Sequence, residues 1–292
     1  MSSRPNTSGA PQGEQVAAGL HVVGVPIGNL GDITLRALAT LGGVDAVACE
    51  DTRVTARLLG HYGLTKPLIA YHDHNAAEVR PRLLARLAEG AALALVTDAG
   101  MPAVSDPGYK LVRAAREAGC KVHVVPGASA VTAAVVAAGL PTDRFLFAGF
   151  LPNKAQARKA AWAELAALPT SLVVFESAKR LAASLADLAA VDGAREVAVT
   201  RELTKLFEEV RRGTAAELAE TYAREGPPKG EVTLVVGPPG PRETEAVDLD
   251  AALRAALVDA SVRDAADLVA EATGLPRRTV YQRALALAAD RP

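Results

Sequence analysis

Three short segments of this chain combine glycine, proline and small polar residues more densely than a plain connection needs. Val25-Pro-Ile-Gly-Asn-Leu-Gly-Asp-Ile-Thr34 carries two glycines that let backbone pass close to a ligand, and Asp32 or Thr34 can cap the helix that follows. Thr97-Asp-Ala-Gly-Met-Pro-Ala-Val-Ser-Asp-Pro-Gly108 holds two carboxylates, Asp98 and Asp106, and exceeds the roughly 2–6 residues of an ordinary strand-to-helix loop. Val125-Pro-Gly-Ala-Ser-Ala130 ends one element in Pro-Gly and opens the next with small side chains, leaving room for a flat ligand on the backbone. Neither GxGxxG nor a Walker loop occurs, which disfavours a Rossmann or P-loop nucleotide site.

Charged clusters supply the other half of a possible site. Glu50-Asp-Thr-Arg53, Arg201-Glu-Leu-Thr-Lys205 and Lys229-Gly-Glu231 offer carboxylates at Glu50, Asp51, Glu202 and Glu231, with Glu208 nearby, that could accept a proton. Lys205 needs a lowered pKa to act as a base; otherwise it can orient a hydroxyl or a phosphate. The first cluster also reads as a helix start capped by Asp51 or Thr52, and the second as a solvated charge run. His72-Asp73-His74 has no further His or Cys at ligand spacing, so no metal is expected.

The elements that must position these segments are legible in the alternation of β-branched runs and Ala/Leu/Arg stretches. Strands are predicted at Leu20–Val25, Val44–Ala48, Leu93–Val96 and Val122–Val125, with helices at Leu35–Leu41, Arg53–His61, Ala77–Leu87 and Tyr109–Ala118. That alternation predicts a parallel or mostly parallel sheet, whose ligands gather at the strands' carboxyl ends. After Pro141 the strands Phe145–Ala148, Leu172–Phe175, Val197–Thr200, Glu208–Arg211 and Val232–Val236 are joined by short links or by one helix, Ala215–Arg224, which suggests a mixed second sheet. The expected fold is therefore α/β: a disordered tail over 1–19, α/β domains over 20–140 and 141–237, and a linker plus helical segment over 238–292. Asp264–Tyr281 has helix, Gly-Leu-Pro, helix at helix–turn–helix spacing, or caps the second domain.

Composition narrows the class. The chain has 292 residues, half of them hydrophobic and only 4% aromatic, so its cores must be Ala, Val and Leu. A net charge of −1 is not that of a protein held on nucleic acid by bulk electrostatics; an RNA partner would need local positive charge. Cys49 and Cys120 read as reduced thiols, and no signal peptide or membrane-length apolar run is present, so a cytoplasmic location with no membrane partner is expected.

Taken together, the loops resemble the tetrapyrrole methylase superfamily. Within it, the chain is similar to the branch that methylates a cytidine ribose 2′-hydroxyl in the decoding region of bacterial 16S ribosomal RNA. The motifs that carry this are VGVPIGNLGDIT ending at Thr34, Glu50–Arg53, TDAGMPAVSDPG ending at Gly108, VVPGASA ending at Ala130, Gly149–Pro152, Phe175–Ser177 with Lys179-Arg180, Arg201–Lys205 and Lys229–Glu231; the match spans about residues 20–285.

The resemblance implies S-adenosylmethionine bound between two α/β domains, a homodimer, and 16S rRNA within the 30S subunit as partner. It places Pro26 and the Asp98, Ala99, Gly100 and Met101 backbone against the methionine part, with Ser105 and Asp106 nearby. Ser129 and Ala130 lie beneath, and Leu203 and Gly230 near the adenine. Glu50, Lys205 and Glu231 are the candidate base or orienting groups. RNA phosphates are expected at Arg53, Arg57, Lys154, Arg158, Arg180, Arg277 and Arg278. A tetrapyrrole acceptor and a catalytically silent RNA-binding assembly factor stay open as alternatives.

Overall fold

The computed structural model describes residues 16–106, 108–240, 249–273 and 275–289. The expected tail lies outside the described residues up to position 15, as does the linker from 241 to 248. Two compact units are present, residues up to Pro238 and residues from Pro239 on.

The first unit contains two five-stranded sheets. One consists of β1 (Gly19–Val23), β2 (Ala46–Cys49), β3 (Leu68–Ala70), β4 (Ala92–Val96) and β5 (Val122–Val125), in the order β3-β2-β4-β1-β5. Every pairing in it is parallel. Strands β1, β2 and β4 are buried along their whole length, as near-continuous apolar runs require when helices cover both faces. Those helices are α1 (Leu35–Gly43), α2 (Thr52–His61), α3 (Ala76–Ala88) and α4 (Tyr109–Glu117). Thr34 caps α1 by accepting the Ala37 amide at 3.0 Å, and Asp51 caps α2 by accepting the Arg53 amide at 2.8 Å. Each cap terminates a loop, so it fixes the angle at which that loop leaves the sheet edge.

The second sheet runs β6 (Phe145–Phe150), β7 (Ser171–Ser177), β10 (Glu231–Val236), β8 (Glu196–Arg201), β9 (Glu209–Thr214). Only β6–β7 is parallel; the other three pairings are antiparallel, the mixed sheet that the short connections predict. Its helices are α6 (Ala155–Ala166), α7 (Leu181–Ala189) and α8 (Ala215–Glu225), the last opened by a reciprocal Thr214–Glu217 capping box.

The joint between the sheets is α5 (Ala130–Ala138), which follows β5 of the first sheet yet packs on the second. Ala134 and Ala138 lie against Leu140, Ala198 and Val235, while Val131 and Val135 lie against Val173. Its small, apolar sequence suits close helix-on-sheet packing, and Gly139 stops it in the left-handed conformation.

The second unit is three helices, α9 (Leu249–Ala256), α10 (Val262–Thr273) and α11 (Arg277–Ala289), around Leu253, Leu257, Ala265, Val269, Val280 and Ala284. Ser261 opens α10 by accepting the Asp264 amide. Among the described residues no helix is long and apolar enough to cross a membrane.

Candidate active site

Backbone contacts draw the three Gly/Pro-rich loops into one wall. Val25 and Gly100 exchange both amide hydrogen bonds, at 2.9 and 3.2 Å, as an isolated antiparallel bridge between the first loop and the second. Gly24 meets the third loop: a Cβ on it would sit 2.7 Å from the Gly127 nitrogen and 2.8 Å from its Cα, so only glycine permits the approach. In the second loop Ala103 and Ser105 are held at φ 69° and 61°, a conformation that side-chain-bearing residues rarely adopt and that clusters at functional sites.

The wall borders a cavity of about 440 Å3, within the roughly 300–1,000 Å3 usual for small-molecule and cofactor sites. Ala99, Gly100, Met101, Ser105 and Asp106 line it from the second loop, and Ser129 and Ala130 from the start of α5. Leu203, Gly230 and Glu231 line it from the second sheet. The structure thus brings these sequence-nominated residues together around one space. Glu202, a candidate carboxylate, lines it too, and the sequence did not single out Ile27, Phe150, Phe175, Thr200 or Thr233 as site residues. Phe175 stands 5.5 Å, ring to ring, from Phe150. Both lie in quoted motifs, but an aromatic at the end of a buried strand reads as core in a bare sequence.

Pro26 and Asp98 depart from expectation. Neither lines the main cavity; both face a second, smaller space on the other side of the loop pair, with Arg57. Neighbours on an extended segment point to opposite sides, so Ile27 and Ala99 take the inner face while Pro26 and Asp98 take the outer. One Asp98 oxygen also accepts the Asp51 amide at 3.1 Å.

The electrostatics separate the candidate acid–base groups. Burial pushes Asp106 up to about 6; a hydrogen bond with Thr97 opposes this, and the charges of Glu50 and Asp98 add to it. Thr97 also donates to Glu50 at 3.1 Å, so the hydroxyl links both carboxyl groups. Lys205 is sandwiched, with its Nζ 2.8 Å from a Glu202 oxygen and 2.8 Å from a Glu231 oxygen. Burial pulls its pKa down, but the bonds to Glu202 and Glu231 outweigh burial and hold it above the usual lysine range. The two ion pairs favour the ammonium form, so the geometry favours the orienting role for Lys205 over the base role. Glu202 is held below the usual carboxylate range by Lys205 and by the Glu231 amide, and sits at φ 50°. The Lys205 chain lies on Gly28 (φ 143°), where a Cβ would come within 2.5 Å of its Cε. The first loop of one sheet thus touches the Lys205 loop of the other.

Two expected RNA contacts are corrected. Arg158 is only 6% exposed and binds Asp187 at 2.7 Å, because α6 turns its Arg158/Trp162/Ala166 stripe inward. Arg180 is spent on Glu176, itself 2% exposed, at 3.0 Å and on the Leu151 carbonyl at 2.8 Å, which fixes the β6 end to the β7 end. Arg53, Arg57, Lys154 and Arg278 are exposed, and Arg53 also pairs with Asp51, which it holds at about 2. Arg277 is exposed and paired with Asp267 within the helical unit.

Known proteins show the same organisation. Residues 19–219 match the family Tetrapyrrole (Corrin/Porphyrin) Methylases, and residues 243–288 match the RsmI C-terminal HTH domain. The chain is 49% identical to ribosomal RNA small subunit methyltransferase I of Mesorhizobium japonicum, over 92% of each chain. To the protein of that name from Erythrobacter litoralis it is 50% identical, over 94% of this chain and 97% of the relative. To that of Escherichia coli O157:H7 it is 45% identical, over 91% and 94%. Among solved structures, a cobalt precorrin-4 methyltransferase (18% identity, TM-score 0.56) covers 75% of this chain and 94% of its own. A Thermus thermophilus uroporphyrin-III C-methyl transferase complexed with S-adenosyl homocysteine (19%, TM-score 0.54) covers 75% and 97%, a likeness of fold. From the matched domains and the near full-length identity, the chain belongs to the tetrapyrrole (corrin/porphyrin) methylase family, among relatives that carry the name ribosomal RNA small subunit methyltransferase I.

Proposed function

We propose that this protein transfers the methyl group of S-adenosylmethionine to the ribose 2′-hydroxyl of a cytidine in the decoding region of 16S rRNA, acting on the 30S subunit. The observation that carries this reading is the charged Lys205 between Glu202 and Glu231 at the edge of a cavity walled by backbone and small side chains. The names of the relatives support an rRNA acceptor.

The cavity fits the donor chemically: Ala99, Met101, Ser129 and Ala130 bring backbone and small side chains to its wall, and Phe175, Val232 and Leu203 offer apolar surface. When bound, S-adenosylmethionine supplies an electrophilic methyl group on a sulfonium. The protein's part is alignment, since holding a hydroxyl in line is worth more than moving its proton. Lys205 orients the acceptor ribose or its phosphate. Glu231, 77% exposed and lining the cavity, accepts the hydroxyl proton. Glu50 stays behind Thr97 and acts on the site through the charge of Asp106. In this reading residues 20–140 hold the methionine end and 141–237 the adenine end. Arg53, Arg57 and Lys154 meet RNA phosphates, the Arg277–Arg278 helix also meets RNA, and the enzyme works as a cytoplasmic homodimer.

The test is transfer of tritiated methyl from S-adenosylmethionine to 30S subunits lacking the modification, with naked 16S rRNA and uroporphyrinogen as parallel acceptors. Label in a single cytidine ribose, with 30S preferred, is the expected result. Label in the porphyrinoid alone would instead identify a tetrapyrrole methyltransferase.

A further inference from the structure

The loop pair that walls the donor cavity has a second face. Pro26, Gly28 and Asp98 line a separate cavity of about 270 Å3, closed on its other side by Val54, Arg57 and Leu58 of α2. Its walls are fixed. Tyr62 donates from its hydroxyl to the Leu30 carbonyl, Asn29 caps the turn that carries Leu30, and Asp51 caps α2. Its chemistry is divided in a particular way. Pro26, Leu30, Val54 and Leu58 offer apolar surfaces, while an exposed guanidinium and an exposed carboxylate, Arg57 and Asp98, stand at the edge.

That division suits a flat heteroaromatic group that is apolar on its faces, carries donors and acceptors on its edge, and trails a phosphate. The volume falls below the roughly 300–1,000 Å3 of sites for larger ligands, which leaves room for one ring system and not for a second cofactor. Unstacked RNA bases are recognised by such packing of their faces and hydrogen bonding of their edges. The two cavities share one layer of backbone, the Val25–Gly100 bridge. The Lys205 chain at the rim of the first lies on Gly28, which lines the second, so the two spaces meet at that contact.

We propose that this second cavity takes one extruded nucleobase of the RNA substrate, that of the reacting nucleotide or of its immediate neighbour. Asp98 faces an amino edge, and Arg57 holds the adjoining phosphate. The proposal rests on the rRNA reading above and adds to it a site that selects which nucleotide reaches the methyl group.

The experiment uses the full chain, 30S subunits lacking the modification, and two variants, Val54→Phe to fill the cavity and Arg57→Gln to remove the cation. Calorimetric titration with S-adenosylhomocysteine serves as the fold check, and should stay within about twofold of the parent for both. The KM for 30S subunits should rise on the order of tenfold in Val54→Phe, since a stacked base is worth about 1–3 kcal/mol. One base protected from base-specific chemical probes in the parent's complex should become reactive in the variant, and its position tells the reacting nucleotide from its neighbour. Parental KM and an unchanged footprint in both variants, with the parent active, would overturn this proposal and leave the rRNA reading standing. A parent that labels no RNA would remove the rRNA reading and this site with it.

Discussion

The floor of the main cavity and its rim are built on opposite principles. The floor is backbone and small side chains, Ala99, Gly100, Ser129 and Ala130, held by contacts as close as Gly24 on Gly127. The rim is paired charge, Lys205 with Glu202 and Glu231, on residues that carry long side chains. A floor of this kind tolerates almost no added atoms but is indifferent to charge. A rim of this kind tolerates changes of shape but loses its purpose when one charge is removed. Under the proposed function, shape recognises the donor while charge orders the acceptor, and substitutions can be chosen to break one without the other.

The largest effect on donor binding is expected at Gly24→Val, which would force the first and third loops apart. Overpacking of this kind costs about 1–3 kcal/mol or more. Calorimetry with S-adenosylhomocysteine should register no binding, and the melting temperature should fall by several degrees. Away from the site, Asp187→Ala would leave Arg158 buried without its partner. Chemical denaturation should show a loss of about 3–5 kcal/mol, most of it recovered when Arg158→Met is added, with RNA affinity unchanged. Retained stability in Asp187→Ala would return Arg158 to the list of surface cations.

A smaller effect belongs to Asp106, raised to about 6 from an ordinary value near 3.8. A carboxyl whose folded-state pKa is raised favours the folded state while protonated. Its contribution is therefore complete below about 3.8 and is lost as pH climbs through about 6. Because this group is half exposed, solvent screening reduces the term to about 1 kcal/mol. Asp106→Asn should flatten the dependence of melting temperature on pH between 4 and 6, and raise stability slightly at pH 7. The smallest effect is at Arg53, whose side chain is 87% exposed and paired with its near neighbour Asp51. Arg53→Gln should cost at most about 1 kcal/mol in stability. It should also weaken 30S binding a few-fold and lower its salt dependence by about one phosphate contact.

The alternation of strand and helix was legible in the residues because buried parallel strands and capped helices leave strong local marks, such as Leu93–Val96 and Thr34. Strand β3 left no such mark: three residues after Pro67 are too few for a pattern. Helix α6 hid because its inward stripe contains Arg158, whose charge is neutralised only by Asp187, some 29 positions away. Loop composition pointed to the cavity, since glycine and proline are required wherever backbone must approach a ligand. Which way each loop residue faces was not legible. Pro26 and Asp98 face the outer cavity because the Val25–Gly100 bridge sets the phase of both loops, and that pairing joins positions 75 apart. The state of Lys205 was equally hidden, since Glu231 reaches it from another strand.

The division between floor and rim is tested most directly in one variant, Lys205→Ala, by titrating S-adenosylhomocysteine and measuring methyl transfer to 30S subunits on the same preparation. The donor Kd should stay within about threefold of the parent while kcat/KM falls about a hundredfold, toward the lower end of what a positioned group contributes. A Kd that weakens in step with kcat/KM, or a transfer rate that does not change, would contradict the assignment of Lys205 to the acceptor.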